Sequence, residues 1–547
     1  MKKNFILFIS FVFISIIYPN FNFGQKPLSF LHTSGQDIVN EYGDKIFLRG
    51  VGLGNWLLPE GYMWKFGAEG DRPRKIEKVI SDLLGEEKSE NFWKEFRKNY
   101  ITEKDIAKIA ELGFNSVRPA LNSRIFMSEG ENHVFLDEGF KLIDSLVSWC
   151  SKYGIYVILD MHGAPGGQTG ANIDDSPKDL PELFIEQRYQ DQLVSLWIKL
   201  VERYKDNPTV AAYDLLNEPL PVGTGSAEKY KHLLIPLYKR LIDEIRKIDK
   251  KHMFTLEGFD WANDWSLFDK PLDNNTFYQF HYYCWARPDE LYPVTRFLDK
   301  REQLNTPVWV GETGEKGNTI YWGTTQYFEA KNIGFSFWPW KKLDTGNTPY
   351  SIIKPENWDL IADFTKGGPK PHQEMAEKIL AEYLKNIKIE NCRYFEDVCN
   401  SILTRIPGKI EAENYGHYGY GNSYFVNDTL NKSKYYRKNE FVQIVLDSEK
   451  EDVFWSEQSV VLKKDDWVKY TFNNRENKTY KFLIRASSLN DRSFIEIMLN
   501  GRKLKKKIDV NKFIEMDLGH YKLNPGLNTL KLKVKSGEIK IDYFRFE

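Results

Sequence analysis

The sequence predicts an α/β chain, a (β/α)8 barrel joined to a C-terminal all-β sandwich. Three observations carry that prediction. From about residue 25 to residue 385, eight short β-rich runs alternate with longer segments of helical periodicity. Beyond about residue 406 the helical patterns disappear, and alternating runs separated by turn-prone pairs replace them. Along the first segment, polar residues stand where apolar runs stop, where the working residues of such a barrel lie. The length agrees, since 547 residues exceed one ordinary domain and suit a barrel plus a module. With 76 Lys+Arg against 77 Asp+Glu, the chain lacks the basic excess of a nucleic-acid binder. A mean hydropathy of −0.51 excludes a multi-span membrane protein. Aromatic residues make up 15%, so either a large core or a sugar-binding surface must account for them. Thirteen of the 15 Trp precede residue 400, which assigns the excess mainly to a cleft in the first unit.

The chain opens with Lys2 and Lys3 ahead of an apolar run, Phe5–Tyr18, too short to span a bilayer comfortably. Residues 1–24 read as a secretory signal peptide, with export to the medium, periplasm or cell surface and no stable membrane insertion. An uncleaved anchor is the alternative. The barrel unit then occupies 25–385. Its β-rich runs are Ile46–Leu53, Ser116–Leu121, Tyr156–Met161, Ala211–Leu216, Phe254–Gly258, Phe277–Tyr282, Val308–Gly311 and Gly334–Trp338. Helical segments between them include Glu103–Leu112, Gly139–Lys152, Tyr189–Tyr204, Ser226–Lys247 and Thr324–Lys331. A doubly wound sheet is the rival, but it needs a glycine-rich turn opening a helix. Gly50-Val51-Gly52-Leu53-Gly54 runs instead into Asn55-Trp56-Leu57-Leu58-Pro59, a poor helix start, which argues against a dinucleotide site. The insertion from Pro59 to Asn99, with Tyr62, Trp64 and Phe66, is either a packed helix pair or a wall of the cleft. Residues 386–405 connect the units. The sandwich, 406–547, has runs at Trp467–Phe472, Tyr480–Ala486, Phe494–Leu499, Thr529–Val534 and Ile539–Phe546. The pairs Asn473-Asn474, Asn500-Gly501, Pro525-Gly526 and Ser536-Gly537 mark turns. Four Cys do not make a disulfide scaffold: Cys150 and Cys284 read as buried thiols, and the spacing of Cys392 and Cys399 allows a local loop bridge.

Reading the strand ends gives Arg118, His162, Asn217 with Glu218, His281 with Tyr283, Glu312, and Trp338. Glu218 and Glu312 would close the fourth and seventh strands. Carboxyls facing across a cavity suit glycosidic-bond cleavage, one protonating the leaving oxygen while the other attacks the anomeric carbon. A single strand-end Glu is as readily an ion-pair partner; the joint set is hard to read that way. A metal-site reading of His162 and His281 would need two or three ligands around an open position.

The motifs Gly113-Phe114-Asn115-Ser116-Val117-Arg118, Asp160-Met161-His162, Leu216-Asn217-Glu218-Pro219, His281-Tyr282-Tyr283, Gly311-Glu312 and Phe337-Trp338 resemble glycoside hydrolase family 5, the cellulase-like TIM-barrel glycosidases, in order and over the whole first unit. The resemblance implies a retaining mechanism without a catalytic metal. Glu218 would be the acid/base and Glu312 the nucleophile. Asn217 would bind the sugar 2-hydroxyl, and Arg118 would keep Glu312 ionised. His281, Tyr283 and His162 would line the cleavage subsite, with Trp338 as its floor. The loop from His162 to Gly170 and the Gly54-Asn55-Trp56-Leu57 entry resemble members acting on β-glucans, including β-1,3-exoglucanases. Trp261, Trp265, Trp285 and Trp340 are each either further subsite walls or core.

The opening Ile406–Tyr415, with Glu411 and Glu413, and the closing Ile541–Phe546, with Asp542, resemble carbohydrate-binding module families 6 and 35. That resemblance implies a β-sandwich with a structural calcium held partly by Glu411, Glu413 and Asp542; the alternative has these acids as surface charges. Lys540 stands where the family often has Asn, and the aromatic platform would be Phe454 or Trp455. The expectation is a secreted, monomeric, retaining hydrolase of a β-linked polysaccharide, most directly a β-glucan, with β-mannan or another β-glycan as alternatives. A glycan-binding surface protein without catalysis is the alternative of another class.

Overall fold

In the computed structural model all eight apolar runs become parallel strands: β1 (Arg49–Leu53), β2 (Ser116–Asn122), β3 (Tyr156–Gly163), β4 (Val210–Asp214), β5 (Met253–Glu257), β6 (Thr276–Tyr282), β7 (Val308–Gly314) and β8 (Gly334–Trp338). The structure describes residues 27–284, 291, 293–447, 458–490, 492–508 and 512–547. Each strand pairs with its neighbours in sequence order, and β8 returns to β1 to close the barrel. Strands covered by helices on one side and filled by the barrel core on the other are apolar throughout, which is why they read as runs rather than alternations. A hairpin, Leu31–Ser34 with Asp37–Asn40, closes the N-terminal end, where Leu31 and Ile38 pack with Tyr156, Phe277 and Trp309. The C-terminal end is left open.

The insertion before β2 resolves into both of its readings. Helices Pro73–Leu84 and Glu86–Tyr100 bury Trp64 and Phe66 among Phe92, Trp93 and Phe96, while Tyr62 faces the open mouth. The long helix expected over 226–247 is broken: Ser226–Tyr230 gives way to a tight turn, and a helix restarts at Leu234–Arg246. Pro236 explains the break, because it lacks an N–H and fits only in a helix's first turn.

Residues 373–403 form ordered structure against the barrel, with helices Gln373–Asn386 and Glu396–Ile402 and a short strand, Arg393–Tyr394, paired to Tyr350–Ile352. No bridge joins Cys392 to Cys399. Cys392 Sγ points at the Asn386 carbonyl at 3.3 Å, whereas Cys399 lies buried in the second helix, so both are free thiols, as is Cys150, and Cys284 is buried as expected.

The C-terminal strands are β9 (Arg405–Ile406), β10 (Gly408–Glu411), β11 (Tyr424–Phe425), β12 (Gln443–Leu446), β13 (Gln458–Lys463), β14 (Trp467–Asn474), β15 (Lys478–Ser488), β16 (Ser493–Leu499), β17 (Arg502–Ile508), β18 (Ile514–Leu523), β19 (Gly526–Ser536) and β20 (Glu538–Phe546). Among the described residues they form two six-stranded sheets. Tyr470 on one packs edge-on against Phe544 on the other at 5.0 Å, and Phe472 meets Phe546 at the same distance. The Asn473-Asn474 pair ends β14 rather than forming its turn. Asn474 holds the turn from inside, its amide donating to the carbonyls of Glu476 and Asn524. A single apolar core runs from the barrel into the sandwich.

Candidate active site

The open end of the barrel holds a cleft of about 710 Å³ lined by Glu218, Glu312, His162, His281, Tyr283 and Trp338, together with Glu60, Tyr62, Trp261 and Glu315. Arg118 is not at a strand end as expected but third of the seven residues of β2, and from there it organises the floor of the cleft. This fully buried guanidinium donates to Asp214 (2.8 Å), Glu312 (2.7 Å), Asn217 (2.8 Å) and Glu257 (3.2 Å), and lies 3.2 Å from Asp160. Planar, forked donors let one side chain tie five strand-end residues together.

Glu218 follows β4 in the left-handed backbone region, at φ 42°, which costs a non-glycine residue of order 1 kcal/mol or more. Its amide donates to Glu257 Oε2 at 2.5 Å, and its carboxylate shares a 2.5 Å hydrogen bond with His281 Nδ1. The Tyr283 hydroxyl donates to Glu312 at 2.8 Å. One oxygen of Glu218, one of Glu312 and a ring nitrogen of His281 lie within 4.8 Å of one another. The two acids titrate in opposite directions. Burial lifts Glu218 above its ordinary value, with Glu312 adding to the shift and His281 opposing it. Burial also works against ionised Glu312, but His281, Arg118 and His162 together hold it below the usual range. His162 Nδ1 donates to the Asp160 carboxylate at 2.7 Å; burial disfavours its charge, yet Asp160 carries it up to about 9.

Trp338 lies flat against His162, ring centroids 5.2 Å apart and 5° from parallel, and its indole N–H donates to Tyr62. Its place is cut by glycines. A Cβ on Gly52 would stand 2.2 Å from the indole, and one on Gly54 2.6 Å. The glycine-rich turn after β1 therefore makes room for an aromatic floor. Buried Gln168, in the loop after β3, donates to the His162 and Asn217 carbonyls and fixes both loops.

Six of the eight barrel residues singled out in the sequence line one cleft, and the other two, Arg118 and Asn217, are fully buried and tied to it by hydrogen bonds. Several others were missed. Asp160, Asp214 and Glu257 surround Arg118, and Glu257 was legible as a carboxylate closing the fifth apolar run. Glu60, pushed up to about 8 by burial and by Glu312 and Glu315, and Glu315, paired to Lys342 at 2.8 Å, line the wall. Of the tryptophan candidates, Trp261 lines the cleft, whereas Trp265 and Trp340 are core. Trp285 lies outside the described residues. Most tryptophans are buried, among them Trp56, Trp197, Trp309, Trp322 and Trp358, so the aromatic excess is chiefly core and not cleft.

In the sandwich, Glu411, Glu413 and Asp542 are all buried, which removes the surface-charge reading. Glu411 pairs with Lys409 at 2.6 Å and Asp542 with Arg485. Neither Glu413 carboxylate oxygen has a side-chain partner; burial and then Glu411 raise this acid well above its ordinary value. Phe454 and Trp455, like residues 1–24, lie outside the described residues.

A close carboxyl pair of opposed acidity, at the C-terminal mouth of a (β/α)8 barrel beside an aromatic floor, has the chemistry of double-displacement glycosidic cleavage. Known proteins agree at the level of the barrel. Residues 82–344, which contain β2 to β8, match the family model "Cellulase (glycosyl hydrolase family 5)". A "Beta-xylosidase" of Phanerodontia chrysosporium is 35% identical over 259 residues, 47% of this chain and 52% of that protein. A "Probable glucan 1,3-beta-glucosidase A" of Aspergillus fumigatus is 29% identical over 276 residues, 48% of this chain and 64% of that one. "Endoglucanase C" of Acetivibrio thermocellus is 32% identical over 196 residues, 35% of this chain and 53% of its own. The chain thus spans between about half and two-thirds of the length of these relatives.

Proposed function

We propose that the protein is an exported, monomeric, retaining glycoside hydrolase acting on a β-linked glycan, with β-glucan as the leading substrate. The opposed titration of Glu218 and Glu312, with oxygens inside 4.8 Å, carries the reading. A retaining pair stands about 5–5.5 Å apart, and an inverting pair leaves room for a water at about 6.5–9.5 Å. Ionised Glu312 attacks the anomeric carbon and forms a covalent glycosyl-enzyme, while protonated Glu218 gives its proton to the departing oxygen. Glu218, now a carboxylate, takes a proton from water, which breaks the glycosyl–Glu312 bond and restores both acids. Asn217, held by Arg118, presents an amide to the sugar 2-hydroxyl, and Trp338 supports the ring. The β-glucan preference rests on the resemblance of the His162–Gly170 loop and on the names carried by the relatives.

Glu312→Gly should abolish turnover, and azide or formate should restore it as a small external nucleophile; full activity in the variant would sink the assignment. A reducing-sugar screen over β-1,3-glucan, β-1,4-glucan, mixed-linkage glucan, xylan and mannan should show glucan fastest. Mannan or xylan fastest would overturn the substrate preference alone. For the sandwich we propose glycan binding and a structural calcium. Glu413 would hold the ion, with Glu411 and Asp542 turning to it from Lys409 and Arg485; a hard cation suits carboxylate oxygens and would supply the countercharge that Glu413 lacks. Calcium should raise the melting temperature and EDTA lower it, and Glu413→Gln should remove the difference.

A further inference from the structure

Positive charge is gathered in the sandwich: residues 406–547 hold 26 Lys and Arg against 20 Asp and Glu, in a chain whose totals are 76 and 77. Much of it lies on one face. Along β14, Val468, Tyr470 and Phe472 point into the core, so Trp467 and Lys469 point out. β19 alternates the same way, with Leu530 and Leu532 in and Lys531 and Lys533 out. The strand register carries two rows across four strands. Trp467 stands opposite Lys533, then Glu496, then Lys505; Lys469 stands opposite Lys531, then Met498, then Lys503. Neighbouring strands lie about 5 Å apart and alternate residues about 7 Å apart, so five lysines form a compact flat grid. On the far side of Trp467, Phe425 shares its face, and the exposed Tyr420 ring sits 5.3 Å from Phe425.

Countercharge is scarce. Lys533 pairs with Asp465 at 3.0 Å, whereas Lys469, Lys503, Lys505 and Lys531 form no ion pair among the described residues. Lys531 rests its ammonium 3.4 Å above the Trp467 ring, and its pKa is lowered by burial and by Lys533 and Lys469. Like charges side by side on a sheet destabilise it, and a soluble surface ordinarily mixes its signs.

We propose that this sheet face binds a polysaccharide carrying carboxylate or sulfate groups. The lysine rows meet successive anionic groups along an extended chain, Trp467 holds the Lys531 ammonium in place, and Phe425 and Tyr420 offer ring faces to its sugars. The need for an anion follows from the charge; the choice of a glycan rests on the glycosidase reading. Binding is measured without turnover, so the failure of either reading is seen separately.

The test is retention of the full-length protein on immobilised polygalacturonate and dextran sulfate, against fully methyl-esterified polygalacturonate and plain dextran. Retention is expected on one or both charged polymers, the pair distinguishing carboxylate from sulfate, and on neither neutral one. It should weaken at least about tenfold between about 50 and about 500 mM NaCl, as counterion release requires. The combined variant Lys469→Gln, Lys503→Gln, Lys531→Gln and Lys533→Gln, if its melting temperature matches the parent, should bind at least about tenfold less. Should that variant not fold, Lys531→Gln and Trp467→Ala singly should each weaken retention. Undiminished retention in these variants, equal retention on the neutral polymers, or tighter binding to single-stranded DNA or phosphatidylserine vesicles at equal charge would overturn the proposal.

Discussion

At the scale of the residue, the proposed division of work between the two acids follows from the cations around them. Glu312 has His281 at 3.6 Å and Arg118 at 2.7 Å, whereas Glu218 has His281 at 2.5 Å and no contact with Arg118. The signs follow. Glu312 is held below its ordinary range, so activity is lost as pH falls through that lowered value. Glu218 is held above its own, so activity is lost as pH rises through that raised value. A bell-shaped kcat/KM profile is expected, and Glu218→Gln should erase the alkaline limb. Tyr283→Phe removes one hydrogen bond to ionised Glu312, a loss of about 1.5–3 kcal/mol for a charged partner, or about one to two pH units. Its acid limb should move up by that amount; an unmoved limb would show that Tyr283 does not hold the nucleophile. Legibility at this scale was uneven. Carboxylates and histidines at the ends of apolar runs could be read one strand at a time. The convergence of Asp160, Asp214 and Glu257 on one guanidinium could not, because each comes from a different strand.

At the scale of the element, β1 and the turn after it matter beyond the backbone path. Gly52→Ala would drive a methyl into Trp338; overpacking of this kind costs about 1–3 kcal/mol. The variant should unfold at lower urea concentration and bind substrate more weakly, and a parent-like KM would mean that Trp338 is not the sugar's floor. All eight barrel strands were readable because burial on both sides leaves an unbroken apolar signal. Errors fell where one residue overrides periodicity. Pro236 splits a helix that the pattern runs through, and Asn474 looks like turn chemistry but works as a buried clamp on the turn beside it. The run Gly50–Gly54 could be told from a dinucleotide turn by the residues that follow it, but the purpose of its glycines, room for an indole 286 residues beyond Gly52, needed the fold.

At the scale of the whole molecule, barrel and sandwich share one core and a bonded seam. Thr319 donates to Glu411 at 3.0 Å, Gln326 donates to the Asn414 carbonyl at 3.0 Å, and Arg405 donates to the Leu112 carbonyl. Calorimetry of the full chain should therefore show one transition, not two. Removing residues 405–547 should lower the barrel's melting temperature by several degrees as well as weaken retention on insoluble polysaccharide. A barrel that melts as before would make the seam incidental. The change of texture after residue 406 marked the sandwich in the sequence, but nothing in a one-dimensional pattern could show that two units would be welded in this way.

The backbone at Glu218 gives a last consequence. Its left-handed φ is comfortable for glycine and uncomfortable for anything with a Cβ. On the proposed mechanism, the side chain that turnover requires costs stability at this one position. Glu218→Gly should be a dead enzyme that outlasts Glu218→Ala on heating, by about 1 kcal/mol, so the most active form of this cleft need not be its most durable one.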